Sequence, residues 1–115
     1  MSYDVALRDA DGNPVQVERH EEGGTILVGG NTDAEMSVTY NYSKFFGVVL
    51  PEGRIESLHG MTGADSIPIL RAAISILTTR RDADYWAATP GNAGYALFVM
   101  EDWAEQHPDA VWDIH

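Results

Sequence analysis

The sequence predicts an α+β domain: a small, mostly antiparallel sheet packed against two main helices and a short one. Three observations carry this. Short runs with an apolar/polar period of two fill the N-terminal part of the chain up to Tyr42, and another ends it. Two later stretches place apolar residues at helical spacing, Ile69, Leu70, Ala73, Ile74 and Leu77, then Ala93, Ala96, Leu97, Met100, Trp103 and Ala104. The strands come grouped before the helices, in the order β-β-β-β-α-α-α-β. At 115 residues, 1–115 reads as a single domain.

Tyr3, Val5 and Leu7 alternate with Asp4, Ala6 and Arg8, and Val15 and Val17 alternate with Gln16 and Glu18. Between them Asp9-Ala10-Asp11-Gly12-Asn13-Pro14 is a dense turn signal, so an N-terminal β-hairpin is expected. Asp9 and Asp11 have the opening spacing of a calcium loop, but the later ligands and closing glutamate are missing. Gly23-Gly24 and Gly29-Gly30 bracket a short strand, Thr25-Ile26-Leu27-Val28. The doublets read either as turns or as a ligand-facing edge, since glycine lets backbone approach closely.

Met36, Val38, Tyr40 and Tyr42 alternate with Ser37, Thr39, Asn41 and Ser43, the period of a half-buried strand. It runs into a short helix carrying Phe45, Phe46, Val49 and Leu50, with Ser43 as its cap and Pro51 as its stop. Ile55 and Leu58 form a short buried piece. Asp65 or Ser66 caps the next helix, whose first turn tolerates Pro68 and which ends at Arg80-Arg81-Asp82. Tyr85 and Trp86 are expected in a short turn of helix before Pro90. The last helix, Pro90 to Gln106, has Thr89 as cap and Pro90 in the first helical position; Gly94 in its stripe suits close packing. Pro108 stops it, and Val111 to Ile114 read as the final strand.

Composition narrows the function classes. Seven basic against 18 acidic residues give a net charge of −11, which repels phosphate backbones and argues against general nucleic-acid binding. The same charge suits solubility or a basic protein partner. The absence of cysteine excludes disulfides and thiolate metal sites. Neither a signal peptide nor an apolar run near ~18 residues is found, so a soluble, intracellular chain with no membrane contact is expected.

Two segments stand out as ligand-facing. One is the polar row of Ser37, Thr39, Asn41 and Ser43 with Tyr40 and Tyr42, whose amide and hydroxyls suit a small polar ligand; a solvated sheet face is the alternative. The other is Thr89-Pro90-Gly91-Asn92-Ala93, where the free amides of a helix start can hold an anion and Gly91 leaves room for it. An ordinary capped helix explains the same residues. Tyr85, Trp86 and Tyr95 are placed to stack on a ring. Asn41 and the amides around Gly91 and Asn92 are expected to face one shared pocket, walled by Tyr40, Tyr42, Tyr85 or Trp86, for a nucleotide-like ligand.

Catalysis has less support. His20, His59, His107 and His115 are widely spaced and match no HExxH or comparable metal pattern. His20-Glu21-Glu22 reads as exposed turn, and His59 with Asp65 is the one acid–base pairing the order suggests. With no GxSxG elbow and no cysteine nucleophile, no catalytic residue, cofactor or metal is assigned.

Several segments together resemble a family of small proteins of tailed phages and bacterial prophages. They are Gly23-Gly24-Thr25 with Gly29-Gly30, Thr39-Tyr40-Asn41-Tyr42-Ser43, Gly60-Met61-Thr62-Gly63-Ala64 with Ser66-Ile67-Pro68, Asp84-Tyr85-Trp86 with Ala88-Thr89 and Gly91-Asn92-Ala93, and Pro108-Asp109-Ala110-Val111-Trp112. The resemblance spans nearly the whole chain. No activity is assigned to that family, so the resemblance implies only an accessory role in the host cytoplasm, by analogy through binding. The leading expectation is a non-catalytic binding protein that takes or sequesters a small polar anionic ligand. The alternative is an acidic interaction module that inhibits or adapts a host protein, and a small hydrolase or transferase comes third. The expected partner is a small polar ligand or a host protein, with a second copy of the chain as a further candidate.

Overall fold

The computed structural model describes residues 1–17, 32–84 and 87–115, and the backbone of 25–27. The alternation of Tyr3, Val5 and Leu7 becomes β1 (Ser2–Arg8), an inner strand of a four-stranded sheet. With β2 (Thr25–Leu27), β3 (Glu35–Thr39) and β4 (Val111–Ile114) the order is β2-β3-β1-β4, every pairing antiparallel. Val5 pairs with Met36 on one side and Ile114 on the other, and Leu7 pairs with Trp112. Partners in register share a face, so Val5, Leu7, Met36, Val38, Trp112 and Ile114 form one apolar layer, all buried. The other face carries Asp4, Ala6, Arg8, Glu35, Ser37 and Asp113.

The N-terminal turn is built by Asp9, whose Oδ1 accepts the amides of Asp11 (2.9 Å) and Asn13 (3.1 Å), while Gly12 supplies a φ of +82°. That carboxylate is thus engaged within the turn itself, which accounts for the spacing that suggested calcium. The returning arm is irregular: it meets its neighbours at two bridges, Arg8 with Pro14 and Gln16 with Asp33. Val15 and Val17 still reach the core. The expected glycine doublets, Val28 and His20-Glu21-Glu22 lie outside the described residues.

Three helices cover the apolar layer: α1 (Ser43–Val49), α2 (Gly63–Leu77) and α3 (Pro90–Gln106). Ile55 and Leu58, in a 3₁₀ turn between α1 and α2, are fully buried, as expected. α2 begins earlier than the sequence suggested. Its cap is Thr62, whose Oγ1 accepts the Asp65 amide at 3.2 Å, and neither Asp65 nor Ser66 takes that role. Ser66 is withdrawn by tertiary contact: its buried hydroxyl donates to the Gly63 carbonyl (2.8 Å) and accepts the Trp112 indole N–H (2.8 Å). Pro68 lies inside α2, where it removes the bond to the Ala64 carbonyl; both residues are exposed, so water can serve that oxygen. The helix ends at Leu77, ahead of the arginines.

α3 runs from Pro90 to Gln106 as expected, with Thr89 accepting the Asn92 amide at 3.1 Å. Its stripe of Ala93, Ala96, Leu97, Met100, Trp103 and Ala104 is buried against α2 and the sheet. A side chain on Gly94 would place Cβ 1.8 Å from the Thr78 carbonyl oxygen, so this glycine does serve close packing. Arg71 ties the two helices on the outside, reaching Glu101 at 2.8 Å and Glu105 at 2.5 Å. The outer edge of β4 is covered by residues 59–62: Gly60 donates to Trp112, Trp112 to Met61, and the Ile114 amide to His59 Nδ1. Among the described residues, no helix is long and apolar enough to cross a membrane.

Candidate functional site

The strand through Tyr40 and Tyr42 is shorter than its alternation implied. β3 stops at Thr39, where the buried hydroxyl accepts the Asn41 amide at 3.2 Å and turns the chain into a 3₁₀ turn, Tyr40–Tyr42. From there the period of two no longer applies. Tyr40 is pushed outward, 41% exposed, with its ring edge-on to Tyr3 at 4.6 Å. Asn41 is exposed. Tyr42 turns inward and is fully buried, T-shaped against Phe46 at 6.2 Å. Burial pushes its hydroxyl pKa up to about 12; Arg81 pulls it down and Asp84 raises it. Ser43 is not the helix cap. It is the first residue of α1, and its side chain bonds the Tyr3 phenol instead.

At the start of α3 the expectation of open space is corrected. Gly91 and Asn92 are both buried. A Cβ on Gly91 would stand 1.7 Å from the Arg80 carbonyl oxygen, so the chain itself fills the room that was reserved for a ligand. Asn92 spends its amide on the preceding loop: Oδ1 accepts the Asp82 amide at 2.9 Å, and Nδ2 donates to the carbonyls of Asp84 and Ala87, both at 3.0 Å. That is a staple holding Asp82, Asp84 and Ala87 on the helix start. Asn92→Ala is therefore expected to cost about 1–3 kcal/mol in denaturant unfolding, because three hydrogen bonds from a buried amide to the loop are lost together. A cost near zero would show that the loop does not depend on it.

The two segments approach each other through the core, since Tyr42 lies within the electrostatic reach of Arg81 and Asp84. The cleft beside Gly91 is lined by Ile76, Leu77, Thr78, Arg80, Arg81, Asp82, Thr89, Pro90 and Gly91, and by none of Thr39, Tyr40, Asn41, Tyr42 and Ser43. Its volume is about 500 Å³. Tyr85 and Trp86, the expected aromatic wall, lie outside the described residues. Arg80 and Arg81 are exposed on the rim, and the Arg81 guanidinium sits 4.5 Å over the Tyr95 ring.

A second depression, of about 330 Å³, lies on the polar face of the sheet and was missed by the sequence reading. In register, Glu35, Ala6 and Asp113 form one row, and Asp4 exchanges backbone bonds with His115 in the next. Ala6 makes a low floor among long polar neighbours. Arg8 bridges that floor, 2.8 Å from Asp113 and 3.5 Å from Glu35. The Arg8 hydrogen bond holds the Asp113 carboxyl below its usual pKa, with a further contribution from His115. His115 Nε2 lies 2.5 Å from Asp113 Oδ1, and His59 Nδ1 lies 3.7 Å from the same oxygen. The carboxylate beside His59 is thus Asp113; Asp65, the partner suggested by sequence order, sits in the first turn of α2. The only signal in the sequence was the alternation of Asp4 with Arg8 and of Asp113 with His115 along strands whose pairing it does not state. No protein-family model matches the chain, and no curated protein or solved structure matches it either.

Proposed function

We propose that the chain is a non-catalytic accessory binding protein of phage or prophage type, acting in the cytoplasm of a bacterial host. Its ligand is a small anionic, nucleotide-like molecule held in the cleft between the end of α2 and the start of α3. The observation that carries this reading is the pair Arg80 and Arg81 on the rim of that cleft. Two of the seven basic residues stand there, beside the positive end of a 17-residue helix, in a chain of net charge −11. Thr89 and Gly91 from the predicted site line the same cleft, while Asn92 supports it from beneath.

Calorimetric titration with inorganic phosphate and with nucleoside mono- and diphosphates tests the proposal. Binding is expected to weaken about tenfold or more in Arg80→Ala, the scale of a lost charge-assisted bond. Arg71→Ala, whose side chain is engaged with Glu101 and Glu105, is expected to bind as the unaltered protein does. Absence of binding by all of these anions, or equal loss in both variants, overturns the reading. In that event, salt-sensitive capture of a basic host protein would favour an acidic interaction module.

A further inference from the structure

We propose that His59, Asp113 and His115 form a binding site for a divalent transition-metal ion of the zinc class. They are the one group of three metal-ligating side chains that converge among the described residues, with donor atoms all within 4.8 Å of one another. The site uses none of the residues of the α2–α3 cleft and stands independently of it.

The geometry favours an ion in several ways. Zinc bonds of about 2.0–2.2 Å to nitrogen and oxygen put neighbouring donors of a tetrahedral site roughly 3.4 Å apart. His59 Nδ1 and Asp113 Oδ1, at 3.7 Å, are already near that spacing. His115 Nε2, at 2.5 Å from the same oxygen, needs only to open outward. Both imidazoles can adjust, since the side chains of His59 and His115 are 50% and 70% exposed. Asp113 is the fixed member. Arg8 Nε holds its Oδ2 at 2.8 Å, which orients the carboxylate and leaves Oδ1 turned toward both rings.

His59 Nδ1 accepts the Ile114 amide N–H at 3.1 Å, so the neutral ring carries its proton on Nε2 and keeps the lone pair on Nδ1. That is the tautomer required for Nδ1 to ligate, and ligation requires the half-exposed ring to turn from the Ile114 amide toward Asp113 Oδ1, giving up that hydrogen bond. Two imidazoles and one carboxylate oxygen suit zinc, copper or nickel; calcium and magnesium, which demand mostly oxygen ligands, are disfavoured. Three protein donors leave a coordination position free. Asp113 and His115 also line the sheet-face depression with Asp4, Glu35 and Arg8; Arg8 offsets one of the two added carboxylates, and Asp4 leaves a net negative charge beside the ion.

Titration of the full chain with Zn²⁺ by calorimetry, and with Co²⁺ by visible absorption, tests the proposal. One ion per chain is expected, with weakening by at least ~10-fold in each of His59→Gln and His115→Gln, the scale at which loss of a supporting group near a metal is felt. His107→Gln is expected to bind normally, because that ring is placed elsewhere, against the Gln16 carbonyl. Zinc should raise the thermal midpoint of the unaltered protein and not that of the two variants. Far-UV circular dichroism establishes that the variants fold. The proposal is overturned if no Zn²⁺ or Co²⁺ binds, if binding survives in His59→Gln and His115→Gln, or if Mg²⁺ and Ca²⁺ bind as tightly as Zn²⁺.

Discussion

Trp112→Ala is expected to destabilise the protein by about 3–5 kcal/mol, the range for removing a large aromatic from a packed core. Trp112 is 1% exposed and touches three elements. It stands on β4, stacks on Trp103 of α3 with ring centroids 6.4 Å apart, and donates its indole N–H to Ser66 of α2. The Ser66 hydroxyl in turn donates to the Gly63 carbonyl, which links the final strand to the first turn of α2. Trp112→Phe separates the two contributions. It keeps much of the ring volume but deprives Ser66 of its donor, and about 1–2 kcal/mol is expected for that loss. Urea unfolding of the three proteins provides the comparison. A cost under 1 kcal/mol for the alanine variant would mean that β4 is not part of the cooperative core.

Gly91→Val is expected to cost about 3 kcal/mol or more, and Gly91→Ala about 1–3 kcal/mol, as overpacking does. Helix propensity alone points the other way, since Gly→Ala in a helix interior gains about 1 kcal/mol. The sign is decided by space: the added Cβ would stand 1.7 Å from the Arg80 carbonyl oxygen and 2.6 Å from its carbon, both backbone atoms. Either the backbone at Arg80, just past α2, or the start of α3 must move. The same movement disturbs the cleft rimmed by Arg80 and Arg81, so loss of ligand binding in a Gly91 variant would reflect the displaced chain. Gly12→Ala is the contrast. Nothing lies within 4 Å of a Cβ there, and only its φ of +82° resists the change. Thermal or denaturant unfolding ranks the variants, and a Gly91→Ala protein more stable than the original would refute the close approach.

Several local signals in this chain hold in the structure because the physics behind them acts within a few residues. Thr89 followed by Pro90 marks a helix start because the hydroxyl accepts an amide three residues on and proline lacks an amide to lose. The stripe from Ala93 to Ala104 and the alternation Val111 to Ile114 announced α3 and β4 because burial follows the helix and strand periods. Tyr40 and Tyr42 misled for the complementary reason. The alternation continued past Thr39, but a side-chain-to-amide bond ended the strand, and one residue of the pair went to solvent while the other entered the core.

By itself, then, the sequence determined the α+β class, the helix α3 with its cap, and the apolar residues that would meet in the core. Composition and period act within a few residues and survive without knowledge of neighbours. The tertiary structure decided what the polar and small residues do. Ser43 and Ser66 are equally good caps on paper, yet each hydroxyl is taken up elsewhere, by Tyr3 and by Trp112. Gly91 reads as an opening until the chain just after α2, at Arg80, is laid across it. Asn92 reads as a binding amide until the loop at Asp82 folds back to it. His59 meets β4 across 55 positions of chain, so its pairing with Asp113 and His115 has no signature in spacing. Hydrogen bonds and metal donors are directional and short-ranged, and which groups satisfy them depends on which distant segments packing brings within about 3 Å.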